Sequence, residues 1–156
     1  MNEPSSDTVA APTTAPALWN PQAAALWSLL FSPVFGAWLH ALNWRALGDA
    51  GRQRRSARWM LVGLAIGVFY VVVQLAWQDE VIAGRVSSAT GLAYLLAWYL
   101  GPGLEQIRLV RQRHGEAYVR RAWGRVLLIA VGVSFAYFVL AGVVGLLAGV
   151  AGMAGG

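Results

Sequence analysis

Polar residues in this chain come in clusters, and between the clusters run apolar stretches of membrane length. The first, AAALWSLLFSPVFGAWLHALN at 23–43, is apolar except for Ser28, Ser32 and His40, and carries Pro33 near its middle. A helix needs about 20 mainly apolar residues to cross a hydrocarbon core. The stretch is therefore expected to span as one helix, kinked at Pro33 but not ended there, because serine hydroxyls and neighbouring helices can satisfy the carbonyl that proline frees. The second stretch, 59–77, has Gln74 as its one strongly polar side chain and a tryptophan at each end. At about 1.5 Å per residue it reaches roughly 28 Å. The last, 126–150, belongs to an uncharged run that continues to Ala154, and the surplus length predicts tilt or a frayed end. Between them 86–103 is weaker, since Gly101, Pro102 and Gly103 interrupt it. Two repairs restore its length: a start near Val81 with Arg85 reaching outward, or a kink at Pro102 and continuation towards Ile107. The pattern predicts an all-α integral membrane protein with four transmembrane helices in one domain over 21–156.

Composition points the same way, with 58% of the 156 residues hydrophobic and 12% charged. Soluble domains carry about 45–50% apolar and about 25% charged residues. A soluble fold of this length has no interior large enough for that share, so the soluble classes are excluded. The first 20 residues differ from the rest: Pro, Ala, Ser and Thr dominate, which predicts a disordered tail. The tail opens with Glu3 and Asp7 and lacks the basic start of a secretory signal, so the first span is expected to be retained.

Charge then orients the spans. All but one of the 12 basic residues, every one an arginine, fall in the segments 44–58 and 104–125, whereas 1–20 and 78–88 are acidic on balance. Basic segments stay cytoplasmic. With four spans, both would be cytoplasmic loops and both termini would be extracytoplasmic. Trp44, Trp59, Trp98 and Trp123 would mark the inner interface, Trp19 and Trp77 the outer one. Arg52, Arg54, Arg55, Arg58, Arg108, Arg111, Arg120 and Arg121 are then placed to touch anionic headgroups, at about 1 kcal/mol per arginine near the surface. A net charge of +5 also suits nucleic acid, but these arginines are already required by topology and lie against the bilayer, so no nucleic-acid partner is expected.

The second basic segment has internal order. In GLEQIRLVRQRHGEAYVRRAW, residues 103–123, Leu104, Ile107 and Val110 recur on one face and Arg108 and Arg111 on another. Gly115 is a helix stop and Glu116 can pair with Arg120, so a short interfacial helix is expected. Gly142, Gly145, Gly149 and Gly152 share one face of the last span, and Gly63 and Gly67 make a second small-xxx-small pair. Such faces either pack within the bundle or dock another copy or a membrane-protein partner. RRSARWMLVGLAIGVF (54–69) and RRAWGRVLLIAVGVSF (120–135) are alike, which fits two helical hairpins of the same orientation or convergence of two segments that each feed a span.

Chemistry is sparse. The absence of cysteine rules out disulfides, thiolate metal sites and cysteine nucleophiles. With 2 histidines, His40 near the inner end of the first span and His114 in a basic segment, no haem or zinc ligand set is present. No cofactor and no catalytic residue emerges, and few ionisable groups fall at membrane depth, which argues against a proton-coupled pump. His40, Asn43 and Trp44 share a helix face, making His40 and Asn43 a candidate polar site. The plainer alternative is a hydrogen-bonded interfacial histidine.

Three motifs stand out: N-P-x-A-A at 20–24, N-W-R-x-L-G at 43–48 and Y-x-R-R-x-W at 118–123. They lie in LWNPQAAALWSLLFSPVFGAWLHALNWRALG (18–48) and AWYLGPGLEQIRLVRQRHGEAYVRRAWGR (97–125), which resemble a family of small, uncharacterised proteobacterial inner-membrane proteins. The resemblance implies a bacterial inner membrane and no enzymatic activity. A non-enzymatic role through protein or lipid contact is expected, as an accessory subunit or a toxin-immunity protein. The alternative is a small homo-oligomeric channel or passive transporter lined by Ser28, Ser32, His40, Gln74 and Ser134.

Overall fold

The structure, a computed structural model, describes residues 15–76 and 79–154. The first apolar stretch forms α1 (Pro21–Leu30) and α2 (Pro33–Ala46), followed by α3 (Ala50–Ala76), α4 (Glu80–Trp98), α5 (Leu104–His114) and α6 (Gly124–Ala154). A π-helical turn, Tyr99–Gly103, joins α4 to α5. The short strands β1 (Ala17–Leu18) and β2 (Val119–Arg120) pair in parallel. The architecture is all-α, and three helical stretches are long and apolar enough to cross a membrane: Ala50–Gln74, Glu80–His114 and Gly124–Leu147.

The first expected span is not among them, and the reason lies at Ser32–Pro33. Ser32 is extended, with φ 173° and ψ 159°, as the ring of a following proline favours. Its hydroxyl accepts from Phe35 N at 3.4 Å. Pro33 takes the first helical position, where no intrahelical N–H is needed. The same device starts α1, where Asn20 Oδ1 accepts from Gln22 N at 3.0 Å and Ala23 N at 3.2 Å ahead of Pro21. A capped proline therefore begins a new helix here instead of kinking an old one. With 10 and 14 residues, α1 and α2 reach about 15 and 21 Å, short of a hydrocarbon core of about 30 Å.

The two helices fold back on each other as a hairpin. Small buried residues let them approach: Ala24, Ala25 and Ser28 on α1, Gly36 and Ala37 on α2. A β-carbon at Gly36 would overlap both Ser28 Oγ and the Trp98 ring, so the hairpin and α4 meet at that notch.

The remaining boundaries shift for local reasons. The segment 44–58 is not a loop. After α2 the chain turns through Gly48 at φ 73°, Asp49 Oδ1 accepts from Arg52 N at 2.8 Å, and α3 carries its arginines in helix. For the weak segment both repairs occur together. Asp79 caps α4 through Val81 N at 2.9 Å and Ile82 N at 3.1 Å, and the helix continues past Pro102 because the wider π turn accommodates a ring that an α-helical turn would exclude. The short helix expected in the second basic segment is thus α5, a continuation of α4, and it stops at Gly115 with φ 55°.

The tail also differs from expectation. Residues 1–14 lie outside the described residues, but Leu18 is fully buried against Val110 and Tyr118. Since β1 pairs with β2, residues 15–20 lie beside the second basic segment and not at the opposite end of the molecule. Trp19 accordingly packs near Trp123 in a shared cluster; Trp77 lies outside the described residues. The two alike segments, 54–69 and 120–135, begin in different structure. Arg54 and Arg55 stand within α3, whereas Arg120 and Arg121 precede α6 in extended chain.

Tyrosine-to-glycine contacts join α3 and α4. Tyr94 reaches over Gly63 and donates to Trp59 O at 2.6 Å, while the Tyr70 hydroxyl lies over Gly91. By contrast, α6 joins the body through its first turns, with Val126 and Ala130 buried among Trp19, Ala24, Phe35 and Leu39. From Val131 to Val150 every described position is exposed except the half-buried Ser134 and Val144.

Candidate functional site

The polar groups converge at the open end of the hairpin, where the chain enters α1 and leaves α2. Asn43 is the centre. Its Oδ1 accepts from Trp19 N at 3.0 Å, and its Nδ2 donates to Trp19 O at 2.8 Å and to Gln106 Oε1 at 3.2 Å. The side-chain amide thus pairs with a backbone as a neighbouring strand would. Gln106 Nε2 then donates to His40 O at 2.9 Å, which ties α5 to α2. Asn43, Gln106 and His40 are all buried, so this clasp satisfies groups that burial would otherwise leave costly.

The His40 ring is enclosed as well. Its Nε2 donates to Pro21 O at 3.3 Å and its centroid lies 5.3 Å from that of Trp98. Its Nδ1 and the Trp98 indole nitrogen are buried without hydrogen-bond partners among the described residues. Trp19 is held on a second side, since its Nε1 donates to Ala122 O at 3.2 Å and the Arg121 guanidinium lies over its ring at 4.6 Å. His40 and Asn43 are therefore brought together, as their spacing suggested, but into a clasp that locks three parts of the chain. Trp19 and Gln106 complete it. A buried glutamine in an arginine-rich segment looks like any surface glutamine in sequence, so Gln106 carried no signal of its own.

Around the clasp, the arginines divide into paired and free. Arg52 Nε donates to Glu105 Oε1 at 2.6 Å and its Nη1 to Asp49 Oδ2 at 2.7 Å, and Arg55 pairs with the other oxygen of Glu105. The Arg52 guanidinium also lies 5.2 Å from the centre of the Trp44 ring. The Arg52 backbone N–H, and after it the guanidinium, holds the Asp49 carboxyl below its ordinary pKa. Arg120 pairs with Glu116 as expected, though the chain there is not helical. Arg54, Arg58, Arg108 and Arg111 are exposed, with no carboxylate partner among the described residues.

The glycines divide too. Gly63 is packed under Tyr94 and Val34, whereas a β-carbon at Gly67, Gly142, Gly145 or Gly149 would meet nothing. The surroundings of Gly152 lie outside the described residues. The glycine face of α6 therefore makes no contact within the chain at its described positions. The polar positions named for a passage are scattered. Ser28 Oγ donates to Ala24 O at 2.9 Å inside the hairpin, Ser32 caps α2, His40 is enclosed, Gln74 is exposed on α3 and Ser134 is half-buried on α6.

A hairpin clasped at its open end and three helices of membrane length define a multi-pass helical membrane protein. No protein-family model, curated protein or solved structure matches the chain.

Proposed function

We propose that this chain is a non-enzymatic membrane protein that acts by contact, holding α6 out from a rigid base for a second protein span. One observation carries the reading: beyond Ala130, α6 is almost wholly exposed, while α3 and α4 pack on each other and on the hairpin. Lipid can cover any apolar helix, but a face where backbone is bare at Gly142, Gly145 and Gly149 favours close approach of another helix. An accessory subunit or an immunity-type protein that occludes a membrane-acting partner would use such a layout.

The orientation follows from charge. The shared end that carries the start of α3, all of α5 and the β1–β2 pair holds the arginines, and is read as cytoplasmic. Three crossings then leave residues 15–20 inside and the far end of α6 outside. The hairpin enters the inner leaflet without crossing it, presenting Leu26, Leu29 and Leu30 to acyl chains. The two segments that resemble small inner-membrane proteins support a bacterial inner membrane as the compartment.

The test is affinity purification of the tagged full chain from native membranes in mild detergent, with the intact mass of the complex. A stoichiometric second protein is expected. Gly145→Leu should release it while leaving the melting temperature of the isolated chain unchanged. A partner-free homo-oligomer that conducts ions in liposomes, above empty liposomes, would replace this reading with a channel.

A further inference from the structure

We infer that Arg55, Arg58 and Trp59 bind the phosphate of an anionic glycerophospholipid, with an acyl chain lying along Val62. These four residues line a shallow cleft of about 310 Å³ on α3. Their spacing of i, i+3, i+4 and i+7 puts them on one helix face, polar at the arginine end and apolar towards the membrane. The order from guanidinium through indole to valine matches a lipid's own order from headgroup through glycerol to acyl chain. Trp59 suits the middle position because indoles favour the headgroup level. Its place is fixed by the Tyr94 hydroxyl on its carbonyl and by ring contact with Tyr94 at 5.8 Å.

Charge leaves this cleft short of anions. Among the described residues, Arg52 and Arg55 engage Asp49 and Glu105, and Arg54 and Arg58 pair with no carboxylate. Arg58 is exposed. Glu105 holds Arg55 by a terminal nitrogen, and 43% of the Arg55 side chain stays exposed. A guanidinium fixed at one end with donors left over is prepared for a second oxyanion, and phosphate fits the fork geometry. A free phosphate would use the two arginines alone. Trp59, Val62 and the exposed Phe69 further along the helix give a reason for the lipid.

This inference rests on the membrane-embedded reading but not on what α6 contacts, so lipid retention and co-purification of a protein are scored separately. The experiment is native mass spectrometry of the full chain released from zwitterionic micelles, titrated with phosphatidylglycerol or phosphatidylcholine. One phosphatidylglycerol should be retained in preference to phosphatidylcholine. Arg58→Gln should weaken retention about tenfold, as expected when a hydrogen bond to a charged group is lost. Arg113→Gln, an exposed α5 variant with the same change in net charge, should not weaken it. Equal loss in both variants would reduce the effect to general surface charge and overturn the site. Displacement of the lipid by millimolar inorganic phosphate would make it a free-phosphate site and overturn the lipid assignment.

Discussion

At the scale of single residues, Asn43 ties α2 to both the start of α1 and α5. Its amide closes both backbone groups of Trp19, 24 residues away, and reaches Gln106 across 63 residues. Asn43→Ala would leave those partners buried and unpaired, at roughly 1–3 kcal/mol for each such group. Thermal unfolding in detergent should therefore fall well below that of Gln112→Ala, an exposed amide on α5. Equal melting of the two variants would remove the clasp from the account. The spacing of His40, Asn43 and Trp44 was enough to mark one helix face with a candidate polar site in the sequence, though not its burial. What the face meets was not legible, because hydrogen bonds between distant segments leave no periodicity in either one.

At the scale of elements, glycines that look alike in sequence do different work. Gly63 is the seat of Tyr94, and a side chain there must displace the tyrosine and break its bond to Trp59 O. Gly63→Leu should lower stability by about 1–3 kcal/mol through overpacking. Gly67→Leu, where a β-carbon meets nothing, should leave the melting temperature unchanged or raise it slightly, since leucine favours helix over glycine. Similar losses from both would mean that α3 packs along the whole small-residue face. Asn20–Pro21, Ser32–Pro33 and Asp79 cap helices in the structure, but the apolar pattern did not single them out, because a proline within a long apolar run fits a kink equally well. The notch at Gly36, which admits Ser28 and Trp98, gives the separated helices a packed arrangement to adopt.

At the scale of the molecule, the topology is testable because the chain has no cysteine of its own. Ala15→Cys and Glu116→Cys should react with a membrane-impermeant thiol reagent from the same side, and Glu80→Cys from the other. If Ala15→Cys instead labels with Glu80→Cys, the hairpin has crossed the bilayer and the four-span order returns. The sequence by itself determined the membrane class, the gathering of arginines into two segments and the helical character of the apolar runs, because composition and charge act along the chain without reference to its partners. Only the tertiary structure decided that Pro21–Ala46 doubles back, that residues 15–20 join the basic end, and that the described α6 glycines stay open while Gly63 is filled. Those outcomes depend on which surfaces meet, and that is settled by Asn43, Gln106, Gly36 and Leu18 finding partners far away in sequence.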